Sequence, residues 1–224
     1  FSDEAVRRTI DEWMEVVERD YNHPCIVTWV PLNESWGVPF ISVDRRQQEF
    51  SQTLYHLLKS FDSTRLVVGN DGWEMTETDL CAIHNYDHGE KNDEKAHAKF
   101  RESLSCREEL LYTYTAGRKI FVDGWKDRGQ PVLLTEFGGI SFAEQDDKAW
   151  GYTCIRDGAE LEKEYERILD AICASDSIAG FCYTQLADVE QETNGLLTCD
   201  RVPKIRTEII RKINDRVNKK RIRI

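Results

Sequence analysis

Five short apolar runs, each followed by a helical or loop segment, punctuate this chain, and that alternation points to βα units laid around a parallel sheet. The runs are Cys25–Val30, Arg65–Gly69, Asp79–Tyr86, Pro131–Thr135 and Ile178–Leu186. Ahead of the first, Val6, Ile10, Trp13 and Val17 recur at helical spacing from Ser2 to about Arg19, with Ser2 as the N-cap. Asn22-His23-Pro24 ends that helix. A second helix is predicted from Asp44 to Phe61, and residues 98–129 read as mainly helical after a polar loop over Asp87–Ala98. Leu161, Tyr165, Ile168, Leu169 and Ile172 give the clearest amphipathic helix. A last helix follows Pro203, a residue suited to a first turn. No repeat, low-complexity segment or interdomain linker interrupts the pattern, so residues 1–224 are expected to form one α/β domain.

A chain of 224 residues is long enough to bury a core. Its net charge of −11 works against nucleic acid, whose phosphates need clustered Lys and Arg, and against anionic membrane surfaces. No apolar stretch reaches membrane-span length. The basic tail Lys219-Lys220-Arg221-Ile222-Arg223 reads as a solvated helix end rather than a nucleic-acid patch. Seven scattered cysteines, odd in number and without a C-x-x-C pair, are expected to be reduced packing residues, which fits a cytoplasmic location. Phe1 is not an initiating Met and leads almost directly into a helix, so the chain is expected to be cut from something longer.

Two runs deliver a carboxylate at their C-terminal end: Val27-Thr28-Trp29-Val30-Pro31-Leu32-Asn33-Glu34 and Val132-Leu133-Leu134-Thr135-Glu136. In a parallel α/β barrel, C-terminal strand ends share one mouth, where such enzymes keep their chemistry. Acidic side chains there repel each other and face partial desolvation, which a structural role gives no reason to tolerate. Glycoside hydrolysis supplies a reason, because it uses one carboxyl as proton donor and another as nucleophile or base. Either residue alone reads more simply as a helix cap or a solvated loop residue; the pair carries the inference. Other chemistries find no motif. Gly138-Gly139, the only adjacent glycines, follow Glu136-Phe137 and lack the Lys of a phosphate loop. Neither a G-x-S-x-G elbow nor an H-E-x-x-H motif occurs. The histidines (His23, His56, His84, His88, His97) show no zinc spacing backed by cysteine. His84 and His88 lie four apart around Asp87, but on strand and loop, so no metal and no other cofactor is expected.

The sequences around these carboxylates narrow the reading. Arg19-Asp20-Tyr21-Asn22-His23-Pro24-Cys25-Ile26-Val27-Thr28-Trp29, leading into Leu32-Asn33-Glu34-Ser35, resembles the acid/base segment of glycoside hydrolase family 2. That family contains β-galactosidases, β-glucuronidases and β-mannosidases. Thr135-Glu136-Phe137-Gly138-Gly139 resembles its nucleophile segment. Asp188-Val189-Glu190-Gln191-Glu192, with Asn194-Gly195-Leu196 and Asp200-Arg201, resembles the segment closing its barrel. The likeness covers essentially the whole chain. It implies a partial (β/α)8 TIM barrel, strands four to eight with their helices, and places the first three strands and the N-terminal β-sandwich domains outside this sequence. It also implies a retaining exo-β-glycosidase, β-galactosidase-like, acting on a carbohydrate substrate.

Residue by residue, the resemblance implies Glu34 as general acid/base and Glu136 as the nucleophile that forms a covalent glycosyl-enzyme. Retention then requires carboxyl groups about 5 Å apart, sharing one proton. Asn33 would hydrogen-bond the sugar 2-hydroxyl; taken alone it reads as a loop residue capping the next helix. Tyr86 matches the family's tyrosine that hydrogen-bonds the nucleophile, whereas most tyrosines at strand ends simply pack. His84 shares the face of Tyr86 and reads equally as a sugar contact or a satisfied core histidine. Trp36 and Trp73 lie closest to the expected mouth, each a sugar platform or a packing residue. Trp13, Trp29 and Trp125 read as packing, and Trp150 has no assigned place beyond the nucleophile.

Many members of the wider clan carry a Trp at the end of the eighth strand. Here Cys182-Tyr183-Thr184-Gln185-Leu186 has Thr184 at that place, with Gln185 or Tyr183 as substitute contacts. The family's glucuronidases read the sugar carboxylate with Asn-x-Lys. Thr193-Asn194-Gly195-Leu196 has the Asn without that Lys, which disfavours a glucuronide and leaves a β-mannoside open. Two other readings stand beside the enzyme. One is a catalytically silent fragment, because five strands do not close an eight-stranded barrel. Its exposed edges, at the strands beginning with Cys25 and ending at Leu186, would aggregate or pair with another copy as a homo-oligomer. The other is a sugar-binding module, which needs no second carboxylate.

Overall fold

A computed structural model describes residues 1–142 and 151–221, with side chains through residue 216. The elements in chain order are α1 (Asp3–Asp20), β1 (Thr28–Trp29), α2 (Arg45–Phe61), β2 (Leu66–Val67), β3 (Cys81–His84), α3 (Glu94–Ser103), α4 (Arg107–Tyr112), β4 (Val132–Glu136), β5 (Ile140–Phe142), β6 (Thr153–Ile155), α5 (Gly158–Ala174), β7 (Ile178–Phe181) and α6 (Thr207–Arg221). They form two units, one of Phe1–His84 with Leu111–Thr135 and one of Asn85–Leu110 with Glu136–Ile224.

In the first unit α1 starts where Ser2 predicts. The Ser2 hydroxyl accepts from the Ala5 amide at 3.1 Å, and Asp3 and Glu4 in the first turn suit the helix dipole. Asp44 caps α2 by accepting from the Arg46 amide at 2.9 Å. The apolar stripe of α2 then buries Phe50, Leu54, Tyr55 and Leu58. Phe50 and Leu54 meet Leu32, Val38, Ile41 and Val122 in one cluster, while Tyr55 and Leu58 join Val17, Trp29 and Val67 in another. Each large side chain so buried contributes about 2 kcal/mol. Strands β1 and β2 run parallel, with Thr28 opposite Leu66 and Trp29 opposite Val67. Every residue of β3 is buried, the pattern of a parallel strand covered on both faces. Beside it lies the start of β4, where the Cys81 amide donates to the Pro131 carbonyl at 2.9 Å.

Two expectations fail in this unit for visible reasons. The first run pairs only from Thr28, because the preceding residues are wound into turns by Arg65. Its guanidinium donates to the carbonyls of Ile26 at 2.7 Å, Tyr21 at 2.8 Å and His23 at 2.9 Å. It also donates to Asp62 Oδ2 at 2.6 Å. Burial alone would raise the Asp62 pKa, but hydrogen bonds from Thr64, Arg65 and Trp29 outweigh it and hold the carboxyl well below its usual range. The second failure is the helix expected through residue 129. Helix α4 stops at Tyr112, and Gly117, Gly124 and Gly129 then take φ of 72°, 93° and 85°, which no helix accommodates. This irregular segment bridges Phe121 to Met75 and buries Ile120 and Val122.

In the second unit α3 begins at Glu94, inside the stretch expected to be loop, because Asp93 caps it by accepting from the Ala96 amide at 3.0 Å. Helix α5 is capped by Asp157 and packs against α6, α3 and β5. Its buried face carries Leu161, Tyr165, Ile168, Leu169 and Ile172, the five residues whose spacing announced it. Strands β5 and β6 were not anticipated. They pair in parallel with Ile140 opposite Thr153, Ser141 opposite Cys154 and Phe142 opposite Ile155, and three residues are too few to show a strand period. Strand β7 ends at Phe181 rather than Leu186. Beyond it an isolated bridge continues the pairing, the Thr184 amide donating to Phe137 and the Gly139 amide to Thr184, both at 2.9 Å.

The packing half of the cysteine expectation is corrected as well, while all seven cysteines are thiols as expected. Only Cys81 is buried; Cys25, Cys106, Cys154, Cys182 and Cys199 are exposed, and no disulfide forms among the described residues. Trp150 lies outside the described residues. Of the basic tail, the backbone is helical to Arg221 and the rest lies outside them. Among the described residues no helix is long and apolar enough to cross a membrane.

Candidate active site

Glu34 belongs to the first unit and is placed by a turn, not by a strand. Asn33 bridges Asp71 in parallel, the Asp71 amide donates to Leu32 at 2.9 Å, and the Glu34 amide donates to Asp71 at 2.9 Å. Glu34 and Ser35 then adopt φ of 52° and 61°, a left-handed pair that costs on the order of 1 kcal/mol per residue. The facing loop offsets that cost, with Asn70 Oδ1 accepting from the Ser35 amide at 3.1 Å. The half-buried Glu34 carboxylate meets His84, Oε1 to Nδ1, at 2.8 Å. On its other side the His84 Nε2 lies 3.2 Å from Asp71 Oδ1, which also accepts from the Thr135 hydroxyl at 2.6 Å. The Nδ1–Glu34 contact has hydrogen-bond geometry, whereas the Nε2–Asp71 contact is a close approach without it. Gly72, at φ 98°, leaves room for the ring, because a Cβ there would stand 2.8 Å from Nδ1.

The other candidates of this unit separate clearly. Trp73 is buried and meets His84 edge-on at 5.7 Å, so it is a packing residue and not an open platform. Trp36 is 77% exposed, which removes the packing alternative. Asn33 is exposed and caps no helix, since α2 has Asp44 for that purpose. Trp29 is buried, and Trp13 and Trp125 pack partly buried against the core.

Glu136 belongs to the second unit and ends the regular strand β4. Its carbonyl accepts from the Asn85 amide at 3.0 Å, and its Oε2 accepts from the Tyr86 hydroxyl at 2.6 Å. Burial, and then the hydrogen bond to Glu136, push the Tyr86 pKa up, so the phenol remains a donor. The Tyr152 ring stacks on Tyr86 with centroids 4.0 Å apart. Below the carboxylate, Gly138 takes φ 96°, and a Cβ there would collide with the Tyr183 ring. His88, fully buried, holds the Gly138 carbonyl at 2.7 Å through Nε2. Burial pushes the His88 pKa down to about 4, so it acts as a neutral donor to a backbone oxygen.

Gln185 is turned into its own loop, its amide nitrogen donating to Asn194 Oδ1 at 2.7 Å and Glu192 Oε2 at 3.1 Å. Lys204 is equally committed, donating to Asp188 Oδ1 and the Thr193 carbonyl, both at 2.7 Å, with its ammonium 4.9 Å from the Phe142 ring. Sequence reasoning missed Asp71, Asn70, His88 and Tyr152. The stretch Asn70-Asp71-Gly72 follows the second apolar run, but nothing in it announced which chain segment it would hold.

The chain matches the family described as "Glycosyl hydrolases family 2, TIM barrel domain" over residues 2–219. Among solved structures it is similar to a β-glucuronidase of Faecalibacterium prausnitzii, with a TM-score of 0.64 and 20% identity over 96% of this chain and 35% of that one. A β-glucuronidase of Bifidobacterium dentium gives 0.62 and 23% over 95% and 34%. A GH2 β-galacturonidase of Eisenbergiella tayi gives 0.63 and 17% over 96% and 36%. The chain thus spans about a third of the length of these proteins, and at such identities the likeness is one of fold. No curated protein matches it. With a family match over nearly its whole length and parallel βα architecture to support it, the chain belongs to glycosyl hydrolase family 2 and is an α/β portion of that family's TIM barrel domain.

Proposed function

We propose that the protein hydrolyses terminal β-glycosides by a retaining double displacement, with Glu136 as nucleophile and Glu34 as general acid/base. One observation supports this division of labour. Glu136 accepts from a phenol held protonated, which suits a group acting as an anion, whereas Glu34 faces an imidazole. An imidazole donates to a carboxylate and accepts from a carboxylic acid, and an acid/base residue passes through both states in each cycle.

In the first step Glu34 gives its proton to the glycosidic oxygen while Glu136 attacks the anomeric carbon, and the aglycone leaves. In the second, Glu34 takes a proton from the incoming water, the sugar–Glu136 bond breaks, and both carboxyl groups regain their starting states. Asn33 is assigned to the sugar 2-hydroxyl and the exposed Trp36 to the apolar face of a sugar ring. Trp73 and Gln185 drop out of the binding set, the one buried and the other engaged by Asn194 and Glu192.

For the sugar, a neutral β-galactoside is the first reading, supported by the engagement of Lys204 with Asp188 and Thr193. A β-hexuronide is the second, supported by the names of the similar solved structures, which are glucuronidases and a galacturonidase. Aryl β-galactoside, β-glucuronide and β-mannoside, given to the protein and to its Glu136→Gln variant, separate these cases. Galactoside turnover lost in the variant supports the proposal in full. Glucuronide or mannoside turnover would replace the sugar and keep the mechanism. Turnover by a longer protein, but not by residues 1–224 alone, would show that the barrel needs more than these strands. No turnover in any form would overturn the reading.

A further inference from the structure

Glu74 is a buried carboxylate that the proposed chemistry does not use. It is 5% exposed, and its Oε2 accepts from the Ser35 hydroxyl at 2.6 Å and from Arg118 Nη1 at 2.8 Å. Ser35, 3% exposed, is the residue next to Glu34 and the second of the two left-handed residues in that turn. Its hydroxyl also accepts from Asn70 Nδ2 at 3.0 Å, while its amide donates to Asn70 Oδ1. Asn70 is itself fully buried and tied to the Trp73 carbonyl at 2.8 Å. Glu74 is anchored in turn by its amide, which donates to Lys119 at 2.8 Å, next to Arg118 in the chain.

Burying a carboxylate is costly unless it is paired and hydrogen-bonded, and an apolar side chain would fill the same space without that cost. What the carboxylate adds is direction. A hydroxyl that must donate to Glu74 and accept from Asn70 has one orientation, and this fixes the peptide that joins Ser35 to the Glu34 Cα, from which the carboxyl-bearing side chain projects.

Resting on the acid/base role proposed above for Glu34, we propose that Glu74 is a positioning residue for that carboxyl, acting through Ser35 with Arg118 as its counter-ion. Loosening the clamp frees the Glu34–Ser35 turn to relax, and Glu34 then meets the glycosidic oxygen less often in line.

The test compares glycosides that differ in their need for a proton. A phenyl glycoside leaves poorly and depends on the general acid, while a dinitrophenyl glycoside leaves with little help. Glu74→Ala should lower kcat/KM roughly 10- to 100-fold for the phenyl glycoside and markedly less for the dinitrophenyl one. Glu74→Gln, which retains an oxygen for Ser35, should recover part of the loss. Ser35→Ala, which leaves the Glu74–Arg118 pair in place, should reproduce the same bias with less risk to folding. Equal losses on both substrates, or none, overturn the proposal. Amide hydrogen exchange over residues 33–37 gives an answer independent of turnover. It should quicken by about 10-fold in Glu74→Ala while α2 keeps its protection, and unchanged exchange overturns the proposal. If no form of the protein, the longer one included, hydrolyses either glycoside, the acid/base reading falls, and the clamp is still decided by exchange.

Discussion

Glu34 stands on a turn of two left-handed residues whose amides and hydroxyl are tied to Asn70, Asp71 and Glu74, whereas Glu136 closes a regular strand and is met at its carboxylate by Tyr86. In the first unit the backbone is strained, and the fixing is done behind the residue as well as at its carboxylate by His84. In the second the backbone is relaxed, and the fixing is done at the charged oxygen. The difference teaches where each site stores its precision. A strand end already aims its side chain, and the Tyr86 hydroxyl then meets the carboxylate itself. A turn aims nothing by itself, so the first unit spends a buried network on holding one.

The largest way to break this comparison is to remove each carboxylate. Glu136→Gln should cost on the order of 10⁴-fold or more in kcat whatever the leaving group. Glu34→Gln should cost about 10² to 10⁴-fold on a phenyl glycoside and much less on a dinitrophenyl one. If both variants show the same dependence on the leaving group, the assignment of distinct roles is wrong.

Stability gives the next contrast. Arg65→Met removes the cation paired with the buried Asp62 carboxylate and one donor to each of three turn carbonyls, and should lower the unfolding free energy by about 3 to 5 kcal/mol in a denaturant titration. A loss under 1 kcal/mol would show that the turn after α1 holds without it.

Acid should then separate the two units. The His88 pKa is lowered to about 4 from 6.5, so the unfolded chain takes up its proton first. The stability tied to His88 is complete above pH 6.5 and is lost as pH falls through 4, by up to about 3 kcal/mol. Asp62 is also depressed, but its contribution is present above the ordinary carboxylate value of 3.8 and fades only below it. At pH 5, hydrogen exchange should therefore quicken around residues 85–110 before it does around α1 and α2. His88→Gln should flatten that difference, and identical acid profiles for the two units would refute the assignment. The smallest effect belongs to Tyr86→Phe. Loss of one hydrogen bond to a charged group should lower kcat roughly 10- to 100-fold with little change in KM.

Much of this candidate site was legible because it is written locally. Asn33-Glu34 and Thr135-Glu136 each follow an apolar run, and Tyr86 ends one, so their types and order expose them. Ser2 and the α5 stripe were legible for the same reason. The support is not local: Ser35 finds Glu74 across 39 residues, Arg118 finds Glu74 across 44, and His88 finds Gly138 across 50. Such partners are chosen by the folded chain, and no spacing rule points to them. The two tryptophans near the expected mouth show the same limit. Trp36 turned out exposed and Trp73 buried, because which side of a turn faces solvent depends on what packs behind it.

The central claim is that Glu136 forms the covalent bond to the sugar while Glu34 moves the proton. The most direct measurement is mass spectrometry of the protein after reaction with a 2-fluoro glycoside bearing a good leaving group, combined with NMR of the first product anomer from an ordinary substrate. The account predicts one sugar attached to Glu136 and a product that retains the β configuration. A sugar on any other residue, or a product first released as the α anomer, would contradict it.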